Sequence, residues 1–390
     1  MAVNAMQTTD VYTILNSLHQ QATGRASQAP TNTAEFVSMA TTTLNSGVDG
    51  VYNALMNTIG KTIFSTRPYD RKFKGLQADN VRFGGIIRKV SMADKPIQAA
   101  NKAFFPADGA TVDHYIVNKA DVLEMRYYGS AVYQDSYTVF RDQLIDAFNS
   151  EGQLGSFIAM LANEMSNKWE QYQEELARAT LANFIGAKNS QDAASIIHLL
   201  TEYNTLTGQT LTAQDVYKET NISGFFRWVR SRINTISRRM TDRSGLYQYQ
   251  VAGKPVNRHT PVQDQMMYLY APALDIIDTM VNTTTYHDEP LKYANVEAVN
   301  YWQSQDDPDS INVTPSIVNA SGVVSTGEAQ NVQNIFGLIF DRDAITTNVR
   351  DYIVANTPMN AAGLYYNTWL TANLRYTNDL TEKGVLLLLD

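Results

Sequence analysis

The residues that could do chemistry are few and scattered. The five histidines stand at 19, 114, 198, 259 and 287. None is three or four residues from another, so no helix face presents a metal-binding pair. His287 runs into Asp288 and Glu289, the nearest approach to a ligand cluster, and a solvated loop is the expected setting. Asp306, Asp307 and Asp309 bunch together, but the glycine and closing glutamate of a calcium loop are missing. Gly60-Lys61-Thr62 matches the end of a phosphate loop, yet its first glycine would fall at 55, which is Leu55. Gly84-Gly85 lies inside a strand-like run and suits a bulge better than a nucleotide cradle. The chain has no cysteine, which excludes disulfides, thiolate nucleophiles and cysteine-held zinc. These residues point away from an enzyme and imply no catalytic residue, no metal and no cofactor.

Charge placement carries more information. The net charge of -8 covers two strongly basic stretches. Residues 61–102 hold ten Lys and Arg, including Arg67, Arg71, Lys72, Lys74, Arg82, Arg88 and Lys89, against three Asp. Residues 225–259 hold eight against Asp242 alone. Acid clusters elsewhere: eight carboxylates fall in 135–175, among them Glu170, Glu174 and Glu175, and eight in 275–309. Opposite charges segregated in this way are suited to pairing within the monomer, between copies, or with nucleic acid. Tyr69, Phe73 and Phe83 beside the first basic block could stack single-stranded nucleic acid. A pI near 5.2 argues against nucleic acid as the main partner.

The elements that must position these charges can be read from periodicity. Residues 9–21 have helical spacing (Val11, Ile14, Leu15, Leu18), and 34–65 read helical again through Val51, Leu55 and Ile59. From Arg67 the stretch RPYDRKFKG is charged and turn-rich. Apolar and basic residues then alternate through Val81, Arg82, Phe83, Ile87 and Arg88, the pattern of a strand. A polar middle and a second strand-like run (Tyr115, Val117, then 122–128) complete an extended hairpin with few core-forming residues. Such an arm needs cover from another subunit. The strongest helix runs over 153–185, where Leu154, Ile158, Leu161, Met165, Trp169, Tyr172, Leu176 and Ala179 form one stripe with an acidic back. Residues 216–243 form a basic helix, 262–355 an α/β unit, and the C-terminus alternates before an apolar strand at 385–389.

At 390 residues, 44% hydrophobic and 18% charged, the chain is built for packed cores and excludes disorder. Twenty-two Tyr suit half-wet contacts between subunits. No apolar run reaches the ~18 residues of a membrane span, and MAVNAMQTTD has no basic-then-apolar pattern of a secretory signal. A protein used without export and without a membrane is expected.

Taken in order, the N-terminal arm, the long basic hairpin, the acidic helix, the basic helix, the α/β unit and the returning strand resemble the HK97 fold of tailed-phage major capsid proteins. The similarity is greatest to the small short-tailed, phi29-like podovirus group, through RPYDRKFKG, QDSYTVFRDQLIDAFNS and GLYYNTWLTANLRYTND. The resemblance implies an α+β fold with an N-terminal arm (1–65), an E-loop (66–130), a P-domain with the spine helix (131–260), an A-domain (261–355) and a C-terminal return to the P-domain (356–390). It implies a shell of hexamers and pentamers, icosahedral or prolate, enclosing double-stranded DNA without sequence-specific contact. A separate scaffolding protein, a portal protein at one vertex, and assembly in the host bacterial cytoplasm go with it. The immunoglobulin-like addition that some relatives carry after the fold is not expected here. In this reading Arg67, Arg71, Lys72, Lys74, Arg82, Arg88 and Lys89 reach a neighbour's Glu170, Glu174 and Glu175, expected to be exposed on the spine. The alternatives are an encapsulin-like nanocompartment shell and a DNA-contacting virion protein using 225–259.

Overall fold

A computed structural model describes residues 8–390 apart from 48–49, 56–69, 79–85, 96, 98–106, 110–114, 116, 118, 129–130, 149, 252–253, 285–294 and 319–322. Two amphipathic helices open it, α1 (Thr8–Thr23) and α2 (Thr33–Asn45), the second capped by the Asn32 side chain accepting from the Glu35 amide. The spacing read from sequence places Val11, Leu15 and Leu18 inward, and all three are buried. They pack with Phe36, Ala40, Val51 and Leu55 into a core. The opening helices are therefore part of the packed body.

β1 (Ile86–Met92) and β2 (Val122–Tyr128) pair antiparallel, with Ile86 opposite Tyr128 and Met92 opposite Val122. The second strand starts at Val122; Tyr115 and Val117 lie before it, outside any strand, and are exposed. β3 (Ala131–Phe140) leads through α3 (Arg141–Ala147) into α4 (Glu151–Gln191). Ser150 starts α4 by accepting from the Gln153 amide at 3.3 Å. At 41 residues it outruns the expected 153–185 at both ends and measures about 61 Å.

The stripe on α4 changes character along its length. Leu154, Ile158, Leu161, Met165 and Trp169 face the first core as expected. Tyr172 and Leu176 are only partly buried, and Ala179 is exposed. Past that point Leu181, Ala182, Phe184, Ile185 and Ala187 enter a second core, and residues 184–188 are buried on every side. A helix enclosed all round needs apolar or paired residues at every position, so one stripe with an exposed acidic back describes only its first half.

Two sheets flank this helix. The chain continues through β4 (Ile196–His198), α5 (Leu199–Thr207), the basic helix α6 (Glu219–Thr241), β5 (Gln265–Tyr270), α7 (Ala271–Thr284) and β6 (Val296–Val299). Two small antiparallel pairs follow: β7 (Ile311–Val313) with β10 (Gln330–Val332), and β8 (Ser316–Val318) with β9 (Val324–Thr326). The last strands are β11 (Ile335–Asp341), β12 (Ile345–Asn356), β13 (Tyr365–Asn378) and β14 (Gly384–Leu388). One sheet has the order β12-β13-β3 and the other β4-β14-β11-β5-β6. The stretch 261–355 thus does not close its own sheet: it borrows β4 and β14, and gives β12 to the other sheet. The reason lies in β11, buried at all seven positions, which needs a paired strand on each side.

The buried face of α6 agrees with the spacing, with Phe226, Val229, Ile233, Ile236 and Met240 all in a third core. In the first core Trp169 stands edge-on to Tyr172 at 6.3 Å and Tyr352 at 6.0 Å. Replacing Trp169 by Ala removes a large side chain that packs α4 onto Tyr352 of β12. We expect a loss of about 3–5 kcal/mol in denaturant unfolding, while near-native stability would show that the stripe is not packed as described.

Candidate assembly surfaces

The first basic block divides into three structural roles. Arg67 and Arg82 lie outside the described residues. Arg71, Lys72 and Lys74 sit on a segment pressed onto the chain's own body. Phe73 adopts a left-handed backbone (φ 62°) and is buried against Tyr268 at 5.4 Å, with the Arg178 guanidinium 4.9 Å from its ring. Leu76 is buried three residues on. These two anchors bring the neighbouring charges onto α4. Arg71 Nε lies 3.6 Å from Glu170, and the Lys72 amide donates to Glu174 at 3.1 Å. Lys74 pairs with Asp70.

This corrects one expectation. Glu174 is not an exposed carboxylate of the spine: it is 6% exposed and accepts from Arg178, one turn on, at 2.7 Å. Arg71 and Lys72 meet Glu170 and Glu174 of the same chain. Of the three acids only Glu175 stays exposed, accepting from Gln171 at 3.2 Å. The missed signal is the pair Phe73 and Leu76, apolar residues set three apart inside a charged run.

The hairpin is two-faced. Lys89, Ser91, Leu123, Met125 and Tyr127 point to the body, and Arg88, Val90, Met92, Val122, Glu124 and Arg126 point away. On the inner face Lys89 bridges Asp379 at 2.7 Å and Glu382 at 2.5 Å, while Arg258 reaches Glu382 at 3.3 Å and Ser91 at 2.8 Å. Farther out, Lys254 donates to the Val122 carbonyl at 2.8 Å, and the Asp94 amide donates to the Pro255 carbonyl at 2.7 Å. Burial alone would lower the pKa of Lys89; the two carboxylates overcome it and hold it above the ordinary lysine value. Burial likewise would raise Asp379, but Lys89 and the Thr381 hydroxyl and amide keep it below its usual range.

The outer face carries a different mixture. Glu124 accepts from Arg126 at 2.7 Å and Arg88 at 2.6 Å. Those hydrogen bonds, Arg126 first, bring its carboxyl down to about 2. Beside this triad Val90 is 58% and Met92 65% exposed, with Val122 at 40%. These three side chains leave an exposed apolar row on the outer face of the ribbon. The density of charge in the hairpin sequence masks this row.

Among the described residues no group of three His, Cys, Asp or Glu could hold a metal ion, and no helix is long and apolar enough to cross a membrane. The His287-Asp288-Glu289 cluster lies outside the described residues. The geometry is that of an interlocked body whose β1–β2 ribbon presents an exposed outer face.

Comparison with known proteins decides the family. Residues 11–387 match the family described as Phi29-like phage major capsid protein. The chain belongs to that family. No curated protein matches it. Among solved structures it is similar to the capsid of Staphylococcus phage Andhra, at 11% identity over 82% of this chain and 84% of that one, with a TM-score of 0.53. A second similar chain comes from a structure of the head fibre and inner core protein of native bacteriophage P68, at 10% identity over 82% and 85%, with a TM-score of 0.54. At such identity the likeness is one of fold, and it places this α+β chain among phage capsid folds. The major capsid protein is a structural, shell-forming component of the phage particle, which is not an enzyme class.

The Lys89 cluster generates a pH prediction for this capsid protein. Replacing Lys89 by Met leaves Asp379 and Glu382 buried without their shared partner, with Arg258 still on Glu382, and at neutral pH should cost about 2–3 kcal/mol, less than a fully enclosed pair because Lys89 is partly exposed. Asp379 has a depressed folded pKa, so its stabilisation is present above the unfolded value of about 3.9 and is lost as pH falls through the folded one. Protonation also relieves the orphaned acids of the variant. The gap between native protein and variant should therefore be widest near neutrality and shrink toward pH ~4, read from urea unfolding at several pH values. A gap independent of pH would mean that the charges do not hold the hairpin.

Proposed function

We propose that the chain is the head-shell subunit that assembles into hexamers and pentamers, forming an icosahedral or prolate shell around phage double-stranded DNA. Its sequence match over residues 11–387 carries this reading. In it the β1–β2 hairpin acts as the E-loop, α4 as the spine helix of a P-domain, and the five-stranded sheet with α6 and α7 as the core of an A-domain. The units would follow 1–65, 66–130, 131–260, 261–355 and 356–390 with β4 and β14 shared across those bounds. A separate scaffolding protein and a portal at one vertex are the expected partners, with assembly in the host bacterial cytoplasm.

Contact between copies is assigned to the outer ribbon face. Lys74 and Arg88 are the basic candidates left partly open, with side chains 46% and 60% exposed, and Glu175 is the acidic one. Surface ion pairs give each contact only ~0–1 kcal/mol, so Val90, Met92 and Val122 must contribute most of the burial. Weak contacts repeated over many copies suit a shell that must correct its errors.

Electron microscopy of the purified protein, with its scaffold supplied, tests the reading directly: closed shells are expected. Val90→Asp combined with Met92→Asp should leave a folded subunit, since both side chains already face water, and should abolish closed particles. Normal particles from that variant would remove the ribbon from the interface, and a native protein that forms no shells under any scaffolded condition would overturn the function.

A further inference from the structure

The outer face of α6 is a candidate that neither the fold nor the shell reading absorbs. The helix carries five arginines, and after Glu219 it has no carboxylate up to its last residue, Thr241. Arg232 is clamped by Glu202 at 2.6 and 2.8 Å, and Arg230 lies near Asp278 of α7. The other three, Arg227, Arg238 and Arg239, are exposed and have no ion pair among the described residues. Ser231, Asn234 and Thr235 lie between them.

Eleven residues separate Arg227 from Arg238, close to three helical turns, so both fall on one face about 16 Å apart. Such a span corresponds to roughly five phosphates of one DNA strand at ~3.4 Å each. A basic last turn is favoured by the helix dipole, which accounts for Arg238 and Arg239 but not for Arg227 in the first half.

We propose that Arg227 and Arg238 on this face, flanked by Arg239 about 100° around the helix axis from Arg238, form a contact surface for the phosphate backbone of double-stranded DNA. The inference rests on the reading of the chain as a shell subunit enclosing DNA, and it turns α6 toward the interior. Duplex is favoured over single strands because the aromatic residues of the helix are engaged elsewhere. Phe225 and Phe226 are buried, and Trp228 stands edge-on to Tyr203 at 5.4 Å, so no ring is offered for base stacking. Side chains that meet phosphate alone carry no sequence preference. Within a chain of net charge -8 the contact is confined to one helix, so packaged DNA is touched without being gripped by the whole wall.

The test compares native protein with the triple variant Arg227→Gln, Arg238→Gln, Arg239→Gln, using fluorescence anisotropy of a labelled duplex of mixed sequence at ~50–300 mM salt. Native protein should bind at low salt, with an affinity falling as salt rises. The triple variant should lose about 2.7 from the log–log salt slope, near 0.9 per arginine, and replacement of all three by Lys should restore most of it. Arg227→Gln alone should lose about 0.9 and serves if the triple variant fails to fold. Unchanged binding and slope would overturn the proposal. So would displacement of the duplex by polyglutamate as effectively as by unlabelled duplex, which would mark the face as a site for an acidic protein surface. Shell formation by the triple variant should match the native protein; a native protein that forms no shells would count against the shell reading while leaving the anisotropy result intact.

Discussion

Two cores in this capsid protein share one rod. The first half of α4 contributes Leu154 to Trp169 to a core with α1, α2 and the three-stranded sheet. Its second half contributes Ala177 to Ala187 to a core beneath the five-stranded sheet. Because 41 residues of helix are continuous, the orientation of one core fixes that of the other. A kink near 170–176 would let them move independently, and that is where the sequence places a run free of glycine and proline. The short segment around Phe73 braces the same stretch from outside, with Arg71 on Glu170 and the Lys72 amide on Glu174.

Rigidity at that junction is reinforced by charges taken out of water. Glu174 and Arg178 pair within one helical turn, and Arg178 also lies 3.7 Å from the Tyr301 ring. Lys188 is wholly enclosed, donating to Asp192 at 2.9 Å and to the Tyr247 carbonyl at 3.1 Å; burial pushes its pKa down against the pull of Asp192. Buried pairs of this kind add little net stability but penalise any arrangement that separates them. Their weight here is in specifying one geometry for elements distant in sequence.

Helices with a strong period are legible in the amino-acid sequence alone. The inward faces of α1 and α6 follow their 3.6-residue spacing, and the apolar runs Ile335–Phe340 of β11 and Val385–Leu388 of β14 read as buried strands. β13 alternates as its composition indicates, with Tyr366, Thr368, Leu370, Ala372 and Leu374 inward. What escapes such reading are features set by partners far away in the chain. Phe73 and Leu76 look like incidental apolar residues in a charged run until Tyr268 and α4 arrive beside them. Glu174 looks solvated until Arg178 and the Lys72 amide satisfy it. Sheet membership is illegible for the same reason, since nothing local to Ile196–His198 says that it will lie beside Leu386–Leu388.

The position of β14 has a consequence for the order of events in the cell. Residues Gly384–Leu388 lie inside the five-stranded sheet, between β4 and β11, and Gly384 is pressed so close to Phe184 that a Cβ would sit 2.9 Å from its ring. A nascent chain therefore exposes the edge of β11 and leaves β4 without its neighbour until residue 388 has left the ribosome. The sheet cannot close before β14 has emerged, however early its other strands appear. A chain cut short before β14 would carry an open, largely apolar slot in its centre, a site for aggregation or proteolysis before it could join a growing lattice. Placing β14 in the middle of the sheet makes its arrival a condition of closing the core on which assembly depends.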